Sequence, residues 1–382
     1  MTAIPSSVAT ARVLDREGLA VLVRALVERG YEVIGPKVRD HAIVLDELES
    51  ADELPWGWTE TQAAASYRLE RTDAAAAFGF ATTPHSWKRW LQPAHVRLWT
   101  TRPDDEGTPE FAPEPPPDRP LALIGVRACD LAAIGIQDRV FLGGTYPERD
   151  YAARREGAFI VGVDCGEPGG TCFCASLGTG PGVADGDDLT LTELPGERFL
   201  ARAGTDRGCE LLDLLTTHEA TTDDLTAAHA VVADAAARMG RELDTDGLHD
   251  LLLRNLESPR YRDVAERCLT CANCTLVCPT CFCTSIDDVA QLDGTSETWR
   301  RWDSCFSLDY SYIHGGSVRR APGARYRQWL THKFATWIDQ FGSSGCVGCG
   351  RCITWCPVGI DVTEELAAIR ATDGEGNDAD AR

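Results

Sequence analysis

The sequence predicts an α/β (α+β) N-terminal domain followed by a smaller, mainly helical domain built around cysteine. Three observations carry this reading. Short, uninterrupted apolar runs alternate with helical periodicity over about the first 240 residues. From Thr222 onward the periodicity is helical. Of sixteen cysteines none precedes Cys129, and eleven fall between Cys268 and Cys356. The expected boundaries are 1–243, 244–371, and an acidic, disordered tail over 372–382.

The elements follow in order. Leu14 to Arg29 places Leu19, Val21, Leu22, Leu26 and Val27 at helical spacing, and Gly30 stops the helix. Tyr31–Ile34 and His41–Leu45 read as short strands. Arg102 to Pro120 is rich in proline and acid and reads as an exposed loop or flap. LALIGV (121–126) and AFIVGV (158–163) are apolar throughout, which suits strands covered on both faces of a mostly parallel sheet. LTLTEL (189–194) and RFLARA (198–203) alternate and predict a hairpin. Helices are expected over 225–239, 247–256 and 261–267, and again over 286–292 and 326–341. The last eleven residues are polar and acidic, the composition of a disordered tail.

Composition narrows the function. Of 382 residues, 59 are acidic and 37 basic, a formal charge of −22. A nucleic-acid binder needs a basic face, so no nucleic-acid partner is expected. No run approaches the roughly 18 apolar residues of a membrane helix. The most apolar stretch, Leu121 to Ile136, is broken by Arg127 and Asp130. The N-terminus shows neither a signal-peptide core nor a twin-arginine pair. A cytoplasmic chain without membrane insertion is expected, and in a reducing compartment clustered cysteines mean metal or redox chemistry. Only three residues are lysine (Lys37, Lys88, Lys333), which reads as genome composition.

The chemistry lies in two ladders. Cys268-x2-Cys271-x2-Cys274-x3-Cys278-Pro279 has the spacing of a bacterial [4Fe–4S] ligand run, and Cys346-x2-Cys349-x2-Cys352-x3-Cys356-Pro357 repeats it. In two-cluster ferredoxins three thiolates wrap one cubane and the fourth completes the other. That assigns Cys268, Cys271, Cys274 and Cys356 to one cluster, and Cys346, Cys349, Cys352 and Cys278 to the other. Structural zinc is the rival, but zinc sites usually pair two CxxC units and do not use a triple ladder ending in Cys-Pro. The long, partly helical insert between the ladders makes the C-terminal unit an α-helical, ferredoxin-like dicluster domain.

Eight cysteines lie outside the ladders. Cys129, in VRACDLAAI, and Cys165, Cys172 and Cys174, in DCGEPGGTCFCASLGTGPG, both follow predicted strands, where open α/β sheets place their ligands. A third [4Fe–4S] cluster on these four is one reading; buried structural thiols with a reactive pair is the other. Cys281, Cys283 and Cys305 are structural, ligate metal, or join the N-terminal group. Cys209 reads as a solitary core thiol. GTGPG (178–182) matches no phosphate-loop spacing and reads as a turn. His314 and His332 read as surface or packing histidines. Arg319, Arg320, Arg325, Arg327 and Lys333 form the one basic cluster, by default a solvated helix face. The alternatives are docking to an acidic partner or offsetting cluster charge.

The strings RACDLAAI…DRVFL, DCGEPGGTCFCASLGTGP, CLTCANCTLVCPTCFC, WDSC, HKF and CVGCGRCITWCPVGID together resemble the iron–sulphur beta subunit of cytoplasmic sulfhydrogenase-type NiFe hydrogenases. The 4Fe–4S dicluster subunit of anaerobic sulfite reductase is similar. The resemblance runs from about Leu14 to Leu366. It implies a subunit, not catalytic alone, that relays electrons between two others. One is a flavin- and NAD(P)H-dependent reductase subunit. The other is a catalytic subunit, hydrogenase first and sulfite reductase second. Catalysis by this chain itself through its N-terminal cysteine group, and a redox or iron sensor, are the remaining readings. Neither a dinucleotide fingerprint nor a flavin motif is present in the sequence.

Overall fold

The protein is described by a computed structural model over residues 11–373. Its first half builds, in order, β1 (Arg12–Asp15), α1 (Arg16–Glu28), β2 (Glu32–Arg39), β3 (Ala42–Glu47), β4 (Trp58–Ala63), β5 (Ser66–Arg71), α2 (Lys88–Leu91), β6 (His95–Pro103), β7 (Pro109–Pro113), β8 (Leu121–Arg127), α3 (Ala128–Phe141), α4 (Arg149–Glu156) and β9 (Phe159–Val163). Then come β10 (Leu189–Leu194), β11 (Arg198–Ala203), α5 (Asp206–Leu212), β12 (His218–Glu219) and α6 (Thr222–Ala237).

An eight-stranded sheet orders these strands β12-β1-β11-β10-β9-β8-β2-β3. β10, β9, β8 and β2 run parallel, and antiparallel hairpins flank them on both sides. The parallel strands are apolar throughout because both faces are covered. In β8, Ala122 and Ile124 pack under α1 with Leu19, Leu22, Val23 and Leu26, whereas Leu121 and Leu123 face Leu131, Ile134 and Tyr151. Alternation along one strand thus feeds two cores. At Gly125 (φ +89°) the β8–β9 register slips, and a Cβ there would crowd Phe78 and Pro36. The bulge re-aims the end of β8, so that Arg127 lies opposite Val163.

The second half builds α7 (Leu248–Arg254), α8 (Arg260–Arg267), α9 (Asn273–Leu276), β13 (Thr284–Ala290), β14 (Ser296–Trp302), α10 (Pro322–Thr331), α11 (Trp337–Phe341), α12 (Arg351–Thr354) and α13 (Val362–Ala371). Its core gathers Leu251, Val264, Trp329, Phe334, Ile353 and Leu366. Between α10 and α11 the residues His332–Thr336 form a π-helical turn.

Three expectations need correction. Residues 286–292 lie not in a helix but mostly in β13, whose Thr, Ile and Val favour a strand and whose Asp293-Gly294 turn returns it along β14. The stretch 102–120 is exposed, yet it begins as the β6–β7 hairpin, with Pro109 and Pro113 confined to the outer strand. Cys209 is exposed: α5 buries Gly208, Leu211 and Leu212, and Cys209 falls on the opposite side of the turn. The four-stranded sheet β13-β14-β6-β7 joins strands from both halves of the chain, so the two units interleave. The expected tail lies outside the described residues from 374 on; Asp373 pairs with Arg254.

Candidate iron–sulphur sites

The two ladders repeat one backbone. Residues two and four after the first cysteine are left-handed in both: Thr270 and Ala272 at φ 50° and 65°, Gly348 and Gly350 at 65° and 73°. In each, the second residue's N–H points back at the first thiol, Thr270 to Cys268 Sγ and Gly348 to Cys346 Sγ, at 3.4 Å. One helical turn follows, α9 or α12, and carries the third cysteine. Ile360 N–H adds a bond of 3.3 Å to Cys356 Sγ. Such N–H donors favour the thiolate.

These loops enclose two adjoining hollows. One is lined by Cys268, Cys271, Cys274 and Cys356. The other is lined by Cys278, Cys346, Cys349 and Cys352. Cys352 also borders the first. Trp329 walls both hollows, while Phe306 closes the first and Phe334 the second. Among the described residues no three His, Cys, Asp or Glu side chains converge tightly enough for a single metal ion. Four thiols around a hollow suit a multi-iron core better than zinc, whose sulphur ligands close to about 2.3 Å.

The N-terminal cysteines meet as well. Cys129 lies in the first turn of α3, just past β8, and Cys165 two residues past β9. The loop bearing Cys172 and Cys174 folds back on them, held by Phe173 N–H to Gly348 O at 2.8 Å and Arg241 N–H to Cys172 O at 2.9 Å. All four line one further small hollow. Glycine is required where this loop meets the second ladder, because a Cβ on Gly348 would stand 2.6 Å from Cys174 and one on Gly350 2.5 Å from Thr171 O.

Electrostatics divides the thiols. Burial pushes Cys129, Cys172, Cys274 and Cys352 far up, and Cys174 and Cys346 to about 12. Ligand thiols of this kind exchange their protons for metal. Among the ladder thiols Cys278 is the exception: the Cys281 thiol beside it and the Lys333 ammonium hold it well below the usual thiol range. Lys333 Nζ is buried and donates to Cys278 Sγ at 3.1 Å, Thr280 Oγ1 at 3.0 Å and Gly345 O at 3.2 Å. Lys88 Nζ donates to Cys281 O at 3.1 Å and sits 4.0 Å from the centre of the Trp302 ring.

Sequence reasoning missed Lys88; it set Lys333 in a basic cluster, with the offsetting of cluster charge as one alternative to a solvated face. A chain with three lysines that buries two of them at its thiols carried the signal in its composition. The supposed basic cluster disperses. Lys333 and Arg325 are buried, the latter donating to Phe306 O and Arg320 O, while Arg327 pairs with Glu257 and Arg319 reaches Ser311. Cys281 rests on Cys278. Cys283 faces Cys305 and the Tyr310 hydroxyl, which draw it down to about 6. His314 is exposed, and His332 packs against Phe282 and Trp337. Gly178 turns GTGPG in the left-handed region.

No helix among the described residues is long and apolar enough to cross a membrane. Residues 267–360 match the 4Fe-4S dicluster domain family, so iron–sulphur clusters are the cofactor class. Over 260 residues, 66% of this chain and 75% of the relative, the sequence is 35% identical to sulfhydrogenase 2 subunit beta of Pyrococcus furiosus. No solved structure matches. With three quarters of that relative covered and the dicluster segment in place, the chain belongs to the family of sulfhydrogenase beta subunits, iron–sulphur proteins of hydrogenase-type complexes.

Proposed function

We propose that the C-terminal unit is an α-helical, ferredoxin-like domain holding two [4Fe–4S] clusters. One sits on Cys268, Cys271, Cys274 and Cys356, the other on Cys346, Cys349, Cys352 and Cys278. The chain then acts as the electron-relay subunit, with a flavin- and NAD(P)H-dependent reductase subunit on one side and a NiFe hydrogenase catalytic subunit on the other. The observation that carries this is the pair of adjoining thiol-lined hollows, five thiols around the first and four around the second, with Cys352 common to both. A cubane accepts or gives one electron with its thiolates fixed. The chain's own contribution is to fix those thiols on short, hydrogen-bonded loops, to keep water out with Trp329, Phe306 and Phe334, and to set Lys333 against the thiolate charge. The relative's name favours the hydrogenase over the sulfite reductase as the complex served.

Anaerobically purified chain tests the reading. It should carry iron at both ladders and accept electrons from a strong reductant. It should oxidise NAD(P)H only after a flavin reductase subunit is added. Zinc in place of iron overturns the cluster assignment, and brisk NAD(P)H oxidation by the flavin-free chain overturns the relay.

A further inference from the structure

We propose that Cys129, Cys165, Cys172 and Cys174 hold a third [4Fe–4S] cluster, set end-on to the second ladder. The four thiols arrive from three segments, and the parallel pairing of β8 with β9, with Arg127 opposite Val163, brings the first two to the same edge of the sheet. Ligand sites of open α/β sheets lie beyond the carboxyl ends of such strands. Buried cysteines that only pack are surrounded by side chains, since protein interiors are filled. These four border a hollow instead, with Ala81, Ala128, Pro168, Pro181 and Met239 as its apolar wall. All four are free of disulfides.

Charge fits the same occupant. A cubane with four thiolates is anionic, and Arg127 is buried in the wall of this hollow. Its guanidinium is fixed by bonds to Phe78 O, Phe80 O and Asp164 O at 2.6–3.1 Å, so it stands as a permanent cation with no carboxylate partner among those bonds. Cys281, Cys283 and Cys305, the rival ligands, gather around Cys278 and Lys333 and do not line this hollow.

The site deepens the relay reading. Cys349 borders both this hollow and that of the second ladder, and Cys172 Sγ lies 3.8 Å from Cys349 O. Cys352 joins the second hollow to the first. The three sites therefore form a row, from the half-exposed Cys165 loop in the α/β unit to the exposed Cys271 in the helical unit. Each end offers a partner its own point of approach.

The test uses the full chain, purified anaerobically, with iron counted and the clusters read by EPR and Mössbauer spectroscopy. Wild type should hold about 12 Fe, and the Cys172→Ala/Cys174→Ala variant about 8 with both ladder signals intact. Should that buried pair fail to fold, Cys165→Ser, on the half-exposed loop, should convert one cluster to a three-iron form. A Cys281→Ala/Cys283→Ala variant should keep about 12 Fe. Wild type at about 8 Fe, or a loss of four irons confined to the Cys281/Cys283 variant, overturns the proposal. Iron at about 12 without flavin coupling would leave this site standing and defeat the relay; coupling at about 8 Fe would do the reverse.

Discussion

Arg351 and Asp130 are joined by two parallel hydrogen bonds of 2.8 and 2.9 Å, with neither side chain more than 4% exposed. Each is the chain neighbour of a candidate ligand, Cys352 and Cys129. The fork therefore clamps the second ladder to the start of α3 and fixes two thiol-bearing backbones at once.

Arg351→Ala should cost about 3–5 kcal/mol of stability, since it strands a buried carboxylate. Arg351→Met combined with Asp130→Leu should recover most of that loss. Urea unfolding of the anaerobic holoprotein measures both. A single variant as stable as wild type would show that the clamp carries no weight.

Cys278→Ser should disturb the cluster of Cys346, Cys349 and Cys352, which is remote in sequence, and spare its nearer neighbour. Spectra in which only the cluster of Cys268, Cys271 and Cys274 changes would contradict the crossed arrangement.

Lys333→Met removes a buried cation 3.1 Å from Cys278 Sγ. Reduction adds negative charge, so the midpoint potential of the second-ladder cluster should fall, by on the order of 100 mV for a charge a few ångströms away at an effective dielectric near 20. Redox titration followed by EPR reads the shift. An unchanged potential would mean that the ammonium is screened.

Glu60 gives a pH dependence. Burial lifts its carboxyl from 4.5 to about 7, against the pull of Ala81 N–H, Gln62 and Arg127, and its Oε2 is buried without a hydrogen-bond partner. The folded state thus keeps a proton that the unfolded chain releases. Stability from this group is complete below pH 4.5 and declines as pH rises to about 7, by up to about 3 kcal/mol. Glu60→Gln should flatten that part of the stability profile, and a slope unaltered by the substitution would assign it to another group.

What could be read from the sequence was local. The parallel strands announced themselves because β8 and β9 are apolar on both faces, and the ladders themselves stand out by their spacing. The misreadings arose where tertiary partners decide. β13 pairs with β14, which pairs in turn with β6 from the first half, and no local pattern over 286–292 reveals that. Cys209 turns outward because Leu211 and Leu212 claim the buried side of a short helix. Lys88 and Lys333 are surface residues by type, and only the fold carries them to the thiols.

The meeting of Cys356 with Cys268, Cys271 and Cys274 in one hollow also sets an order of manufacture. On the ribosome the first ladder emerges complete in itself yet one thiol short, because its fourth wall is translated only near the end of the chain. A cluster delivered early would face three cysteines and open water. On the proposed assignment, loading of that site would wait for the C-terminal residues to leave the exit tunnel, and the metal would then tie together points that the polypeptide alone would have to hold against the entropy of a long loop. A message truncated just before Cys356 would thus leave the hollow of Cys268, Cys271 and Cys274 one thiol short, although every residue of the first ladder had been made, while Cys278, Cys346, Cys349 and Cys352 would all be present.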